Sequence, residues 1–430
     1  MKARLAGAVL AAALFVPAAQ AQTPYATTET AYVPSEAPPS GVSVCPGGLC
    51  QVGALDGVFE ALAATEAGRR ERPVHILQLG DSHTAGDRIT GAMRAALQTR
   101  FGNAGRGVVP PGVPYDGYAP YQVQMAGAGW VRDSAPLQPV GGQPSLAVGL
   151  AGMRGQAMAG TDLTLTLEPG AEARVVGLCG LSRPAGGLEV RTEAVVVPVD
   201  LAVPSGAAGP VCVDVALAEA ARSVTVRGTG AGATLDSVRL QRSNPGVMVS
   251  NLGVVGATLR DLARRDEAIV ATELAVWRPQ LIVLAYGVNE GFDPALDPVT
   301  YEALLRGQID RLRRLAPAAS LLILGAPDAQ RNGVSDGCSA DGMRAPPPML
   351  AVVRDVQRRV AADMGVAFWD WHGRMGGDCA ADRLALRAEP YMRGDRVHFT
   401  SAGADWIGGV LAEDLLAAYA AWKAGPGGAA

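Results

Sequence analysis

Five continuously apolar runs restrict this chain more than any other feature: "VHILQLG", "GVMVSNLGVV", "LIVLAYG", "SLLILGAP" and "VAFWDW". A strand that is apolar at nearly every position is buried on both faces, and strands separated by helices pair in parallel. Helical patterns follow the runs. "GDRITGAMRAALQTRFG" puts Ile89, Met93 and Leu97 on one face. "RDLARRDEAIVATELAVW" reads as one helix stopped by Pro279, and "VTYEALLRGQIDRLRRLA", "MLAVVRDVQRRVAADMG" and a last helix after Ser401 complete the series. The expectation is an α/β fold on a parallel sheet, preceded by a helix at "GALDGVFEALAATEAG".

This texture stops between the first helix and the second strand. From 111 to 247 the sequence alternates with period two in "TLTLEPG", "LEVRTEAVVVPV", "VCVDVAL", "SVTVRG" and "LDSVRLQ", with Gly/Pro turns between them. The economical organisation is one α/β domain carrying an inserted β-sandwich-like domain. The expected segments are a leader (1–21), a Pro/Thr/Ser-rich linker or loosely docked arm (22–54), a first α/β part (55–110), the insertion (111–247), a second α/β part (248–424) and a short flexible tail (425–430).

The leader "MKARLAGAVLAAALFVPAAQAQ" has a basic start, a short apolar stretch and a small-x-small site ending at Ala21. It reads as a cleaved export signal, placing the mature protein in the periplasm or outside the cell, and no later run is long enough to span a bilayer. Losing Lys2 and Arg4 takes the formal charge from −4 to −6. No basic cluster appears, which argues against nucleic acid as a partner. Six cysteines in an oxidising compartment imply disulfides, and neighbour pairing (45–50, 179–212, 338–379) keeps each bridge within one segment. "CPGGLC" lacks the second ligand pair a structural zinc needs, and no metal or cofactor is expected.

In an open parallel sheet, functional loops lie beyond the carboxyl ends of the strands. There the sequence places Asp81-Ser82-His83, then Gly256, then Asn289 and Glu290, and finally Asp395 and His398 in "GDRVHF". A serine hydroxyl needs a base to become a nucleophile, and His398 oriented by Asp395 can supply one. The oxyanion formed on attack needs placed donors, for which Ser82 and Gly256 offer backbone N–H groups and Asn289 its amide. Each residue alone has an ordinary structural reading. Asp81 can shape the turn and His83 can pack beneath it or donate locally. Asp87 can cap the first helix or hold the Ser82 loop, and His372 can be a core or rim residue. Tyr115 and Trp130 of the insertion can stack on sugars or fill its core.

The segments "GDSH", "GVVGAT", "YGVNE" and "DRVH" resemble, in order, the four blocks of the SGNH (GDSL-like) hydrolase superfamily. The resemblance implies a three-layer parallel-sheet fold with Ser82 as nucleophile, Gly256 and Asn289 as oxyanion donors, and Asp395 and His398 completing the triad. Glu290 stands where many members have Asp. "GDSHTAGD", "YGVNEGF", the leader and the β insertion are similar to periplasmic O-acetylpeptidoglycan esterases, whose inserted domain resembles a carbohydrate-binding module. That similarity implies an O-acetylated peptidoglycan substrate. Another acetylated polysaccharide or small ester, acetyl transfer by the same triad, and a non-catalytic glycan-binding role remain open at this point. The pair Cys338 and Cys379 is expected to bridge loops bordering His398.

Overall fold

The computed structural model describes residues 43–134, 146–182, 186–201, 209–335 and 337–425. The leader, most of the arm and the last five residues lie outside them. The central sheet runs Leu49–Cys50, Ala367–Trp369, Ser320–Leu324, Leu281–Ala285, Val74–Gly80, Val247–Gly253. All neighbours are parallel except the first, where Leu49–Cys50 pairs antiparallel with Ala367–Trp369. Val74–Gly80 and Leu281–Ala285 are buried along their whole length, as double-sided cover requires. On one face helices Asp56–Glu66, Arg88–Phe101 and Ser401–Ala424 bury Phe59, Met93, Leu97 and Ile407; on the other, Glu267–Trp277, Pro298–Leu315 and Leu350–Met364 bury Leu274, Ile309 and Val353.

Numbering the parallel strands by chain position gives the spatial order 2-1-3-4-5. In such sheets the order reverses between the first and third strands, and the crevice beyond their carboxyl ends is where ligands bind. Here those strands are Val74–Gly80 and Leu281–Ala285.

The insertion consists of two antiparallel sheets. One runs Val196–Asp200, Gly186–Arg191, Ser223–Gly230, Asp162–Leu167, Val123–Ala128; the other runs Pro210–Ala221, Ala173–Leu181, Ala233–Gln241, Met153–Ala157, Val131–Ser134. Their alternating inward residues, among them Leu163, Leu165, Val224, Val226, Leu178 and Leu235, form a separate core.

Three details depart from the sequence reading. The strand Gly107–Val109 lies before position 111 yet already pairs with Ala233–Gln241. Residues 43–54 dock firmly, with Cys45 and Leu49 buried in the core and the chain adding an edge strand. The expected helix after Thr258 is two helices, Leu259–Ala263 and Glu267–Trp277, because the Asp266 side chain accepts from the Ala268 and Ile269 N–H groups and starts a new one. The three disulfides are Cys45–Cys50, Cys179–Cys212 and Cys338–Cys379. Among the described residues no helix is long and apolar enough to cross a membrane.

Candidate active site

The strands Val74–Gly80, Val247–Gly253 and Leu281–Ala285 end in register at Gly80, Gly253 and Ala285. Their following loops therefore meet. The chain turns sharply after Gly80, where a Cβ would collide with the Thr84 hydroxyl and the Ala285 carbonyl. Asp81 then caps the short helix Ser82–Ala85 by accepting from the His83 N–H at 2.9 Å. Ser82 thus opens the helix, and its N–H has no intrahelical acceptor.

Ser82 Oγ lies 3.0 Å from His398 Nε2, and His398 Nδ1 lies 2.8 Å from Asp395 Oδ2. The other Asp395 oxygen accepts from the Val397 and His398 N–H groups at 2.9 and 3.0 Å. Partial burial works against the Asp395 charge, but these N–H groups and the His398 ring outweigh it and hold the carboxyl below its ordinary value. An ionised carboxylate only accepts, so Nδ1 carries the proton and Nε2 is left to accept from the serine hydroxyl. The side chains of His398 and Asp395 are 38% and 46% exposed, so a substrate can reach the line of atoms.

Gly256 sits in the loop after Val247–Gly253 with φ of 76°, a left-handed conformation that favours glycine. Among the described residues its N–H donates to no backbone or side-chain group. Asn289 donates one amide hydrogen to the Ala257 carbonyl at 2.9 Å, which fixes the amide and leaves its second hydrogen available. Glu290 fastens the same two loops, accepting from the Leu259 N–H at 2.7 Å, and burial pushes its carboxyl up to about 7.

The remaining residues singled out by the sequence fall as follows. Asp81 and His83 are buried directly beneath the serine. His372 pairs with Asp378 at 3.0 Å and takes no part in the Ser82 line. Trp130 donates to the Pro111 carbonyl and packs on the insertion's core. Tyr115 reaches out of the insertion, its hydroxyl donating to the Ala85 carbonyl of the serine's helix at 2.9 Å. Asp87 makes no side-chain cap to its helix; it accepts instead from Arg94, Arg106, Thr90 and the Tyr121 N–H. The Cys338–Cys379 bridge joins two loops, and the segments flanking Cys338 touch the His398 loop: Gln330 N–H donates to the Arg396 carbonyl at 2.9 Å, and Arg344 to the Gly394 carbonyl at 3.2 Å. No group of three His, Cys, Asp or Glu side chains among the described residues is arranged to hold a metal ion.

The model of the GDSL-like Lipase/Acylhydrolase family matches residues 222–406, a span that holds the Gly256, Asn289 and Asp395/His398 loops but not Ser82, which lies ahead of the insertion. The chain is an SGNH (GDSL-like) hydrolase with an inserted all-β domain, and by class a carboxylic ester hydrolase. Among solved structures it is similar over nearly its whole length to a peptidoglycan O-acetylesterase, at 25% identity and a TM-score of 0.74, covering 87% of this chain and 99% of that one. Lower similarities include an acetyl xylan esterase (20% identity, 40% of this chain and 81% of that one, TM-score 0.27) and a family two carbohydrate esterase from Clostridium thermocellum (11%, 69% and 98%, TM-score 0.26). No curated protein sequence matches the chain.

Proposed function

We propose that the protein removes O-acetyl groups from peptidoglycan, with Ser82 as nucleophile, His398 as general base and acid, and Asp395 orienting the ring. His398 Nε2 takes the Ser82 proton as Oγ attacks the acetyl carbonyl carbon. The carbonyl oxygen becomes negative and receives hydrogen bonds from the Ser82 and Gly256 N–H groups and the free Asn289 amide hydrogen. Collapse returns the proton from His398 to the departing sugar oxygen and leaves an acetyl-serine. Water, deprotonated by His398, attacks this ester; acetate leaves and Ser82 regains its proton.

The observation that carries the reading is the Asp395–His398–Ser82 line, with contacts of 2.8 and 3.0 Å between the start and the end of the α/β domain. The substrate rests on the likeness to a peptidoglycan O-acetylesterase, which extends through the insertion. Three disulfides and the leader at 1–21 agree with an exported protein that meets this polymer outside the cytoplasm.

The test measures free acetate from O-acetylated peptidoglycan and from acetylated xylan side by side, with wild type and Ser82→Ala. The expected result is faster release from peptidoglycan and none by Ser82→Ala. Equal turnover of p-nitrophenyl acetate by both proteins would refute the nucleophile. Faster release from xylan would replace the substrate, and acetyl appearing on a glycan acceptor instead of as free acetate would replace hydrolysis by transfer.

A further inference from the structure

A second Asp–His pair lies under the first. Asp81 and His83 side chains are 2% and 3% exposed, and His83 Nδ1 lies 3.1 Å from Asp81 Oδ1. The other ring nitrogen, Nε2, lies 2.8 Å from the Val397 carbonyl. A carbonyl only accepts, so Nε2 carries a proton. Burial opposes a charge on the ring, but the Asp81 carboxylate and the Val397 carbonyl outweigh it and hold His83 above the ordinary imidazole value. The ring cannot turn freely. It stacks on His398 at 5.5 Å between centroids and 24° between planes, and meets Trp371 and Phe399 edge-on at 5.6 and 5.9 Å.

The connectivity gives this pair a task. Asp395 folds its own loop through the Val397 and His398 N–H groups, and Gln330 holds the Arg396 carbonyl. None of these contacts refers the loop to the serine. Among the described residues two hydrogen bonds join the Ser82–Ala85 helix to residues 395–398: Ser82 to His398, and His83 to Val397. The first is made and broken in every turnover, so it cannot set its own length.

We infer that His83 is a positioning residue, a strut clamped by Asp81 and pressed against the Val397 carbonyl, that fixes the separation of His398 Nε2 from Ser82 Oγ. This rests on Ser82 and His398 being the nucleophile and base. His83 never exchanges a proton with substrate. It fixes where the neighbouring imidazole stands while that imidazole exchanges one.

The experiment uses the full protein and p-nitrophenyl acetate. His83→Phe keeps a ring for packing and removes the donor, whereas His83→Gln keeps a donor able to reach Val397. A misplacement near 1 Å costs about 100-fold in rate, so His83→Phe is expected to lower kcat by about 100-fold with KM unchanged, and His83→Gln to recover most of the loss. In a His398→Ala background His83→Phe should cost nothing further, because the group it positions is gone. Wild-type kcat in His83→Phe would overturn the inference. So would the same fold-loss in both backgrounds, or a glutamine variant no better than phenylalanine. Should His83→Phe not fold, His83→Asn, whose shorter amide falls short of Val397, takes its place. Failure of the parent reading looks different: Ser82→Ala would then turn over like wild type.

Discussion

Asp87 offers the sharpest test of what holds the two halves of the molecule together. Its carboxylate is fully buried and accepts from Arg94 Nη2 at 2.7 Å and Nη1 at 3.3 Å, Arg106 Nη2 at 2.9 Å, Thr90 Oγ1 at 2.6 Å and the Tyr121 N–H at 2.9 Å. Both guanidinium groups are buried too, with side-chain exposures of 1% and 0%. Arg94 lies on the helix after the serine, Arg106 at the entry to the insertion and Tyr121 within it. Removing the carboxylate leaves two cations with no opposite charge in a dry interior. Breaking one buried pair this way costs about 3–5 kcal/mol, against about 1 kcal/mol at most for an exposed pair. Asp87→Asn keeps the shape and tolerates the residue's φ of 54°, so its effect isolates the charge. Urea unfolding should show a loss of about 3 kcal/mol or more, which for a protein of this size is a melting temperature lower by roughly 4 °C. Adding Arg106→Met to Asp87→Asn should restore part of the loss, since one stranded cation is then gone. Burial acts against the Asp87 charge, yet Arg106 and Arg94 hold its folded pKa below 3.8. The stabilisation is therefore complete above that pH and disappears as the pH falls through the folded value. A loss under 1 kcal/mol, or a double variant as unstable as the sum of its parts, would refute the reasoning.

Two further outcomes follow from the structure. Asn289→Ala should lower kcat for p-nitrophenyl acetate by 100-fold or more, about 3 kcal/mol of transition-state stabilisation, while leaving the melting temperature within a few degrees; an unchanged kcat would remove Asn289 from the oxyanion site. Glu273 is buried between its helix and the insertion, accepting from Ser237 and from the Leu150 N–H, and burial pushes it up to about 8 from 4.5. The folded protein keeps this proton where the unfolded chain has lost it, so stability falls as pH rises between those two values; Glu273→Gln should flatten that decline, and melting curves of parallel pH dependence for the two proteins would sink the assignment.

The α/β frame was legible because burial on both faces writes itself as unbroken apolar runs, and each run ended in a turn whose residues were local. Ser82, Gly256 and Asn289 could be placed at one edge from that pattern alone. What the sequence hid was of two kinds. Short elements leave no period: Leu49–Cys50 has two residues and Gly107–Val109 three. Burial of an ionisable group leaves no local mark either: nothing in the pattern around Arg94, Arg106 or Glu273 separates them from surface residues until the partners that the fold brings to them are known. The helix break at Asp266 belongs to neither kind. An Asp with apolar Ile269 three residues on is a start signal, and it was overrun by the longer periodic pattern on both sides.

The outer strand of the central sheet explains why an all-β domain can interrupt the hydrolase where it does. The strand Val247–Gly253 is the outer strand of the central sheet, and a long open strand edge invites pairing with other chains. Here Arg94 Nε and the Ala104 N–H donate to the Val249 and Val247 carbonyls, and Ser250 Oγ accepts from the Val108 N–H in the insertion's first strand. Ser250 also meets His75 Nε2 at 2.6 Å; burial pushes that imidazole down to about 3 and keeps it neutral. Helix Arg88–Phe101, the turn at Ala104 and the insertion's first strand thus cover this edge together. The insertion leaves the α/β domain after helix Arg88–Phe101, so the loops that follow Val74–Gly80 and Leu281–Ala285 remain parts of the α/β domain. Toward the Ser82 site Tyr115 donates to the Ala85 carbonyl, at the end of the serine's helix away from the nucleophile, and Arg106 and the Tyr121 N–H hold Asp87 just beyond it. The β domain packs against the outer strand of the hydrolase sheet and braces the serine's helix through Tyr115.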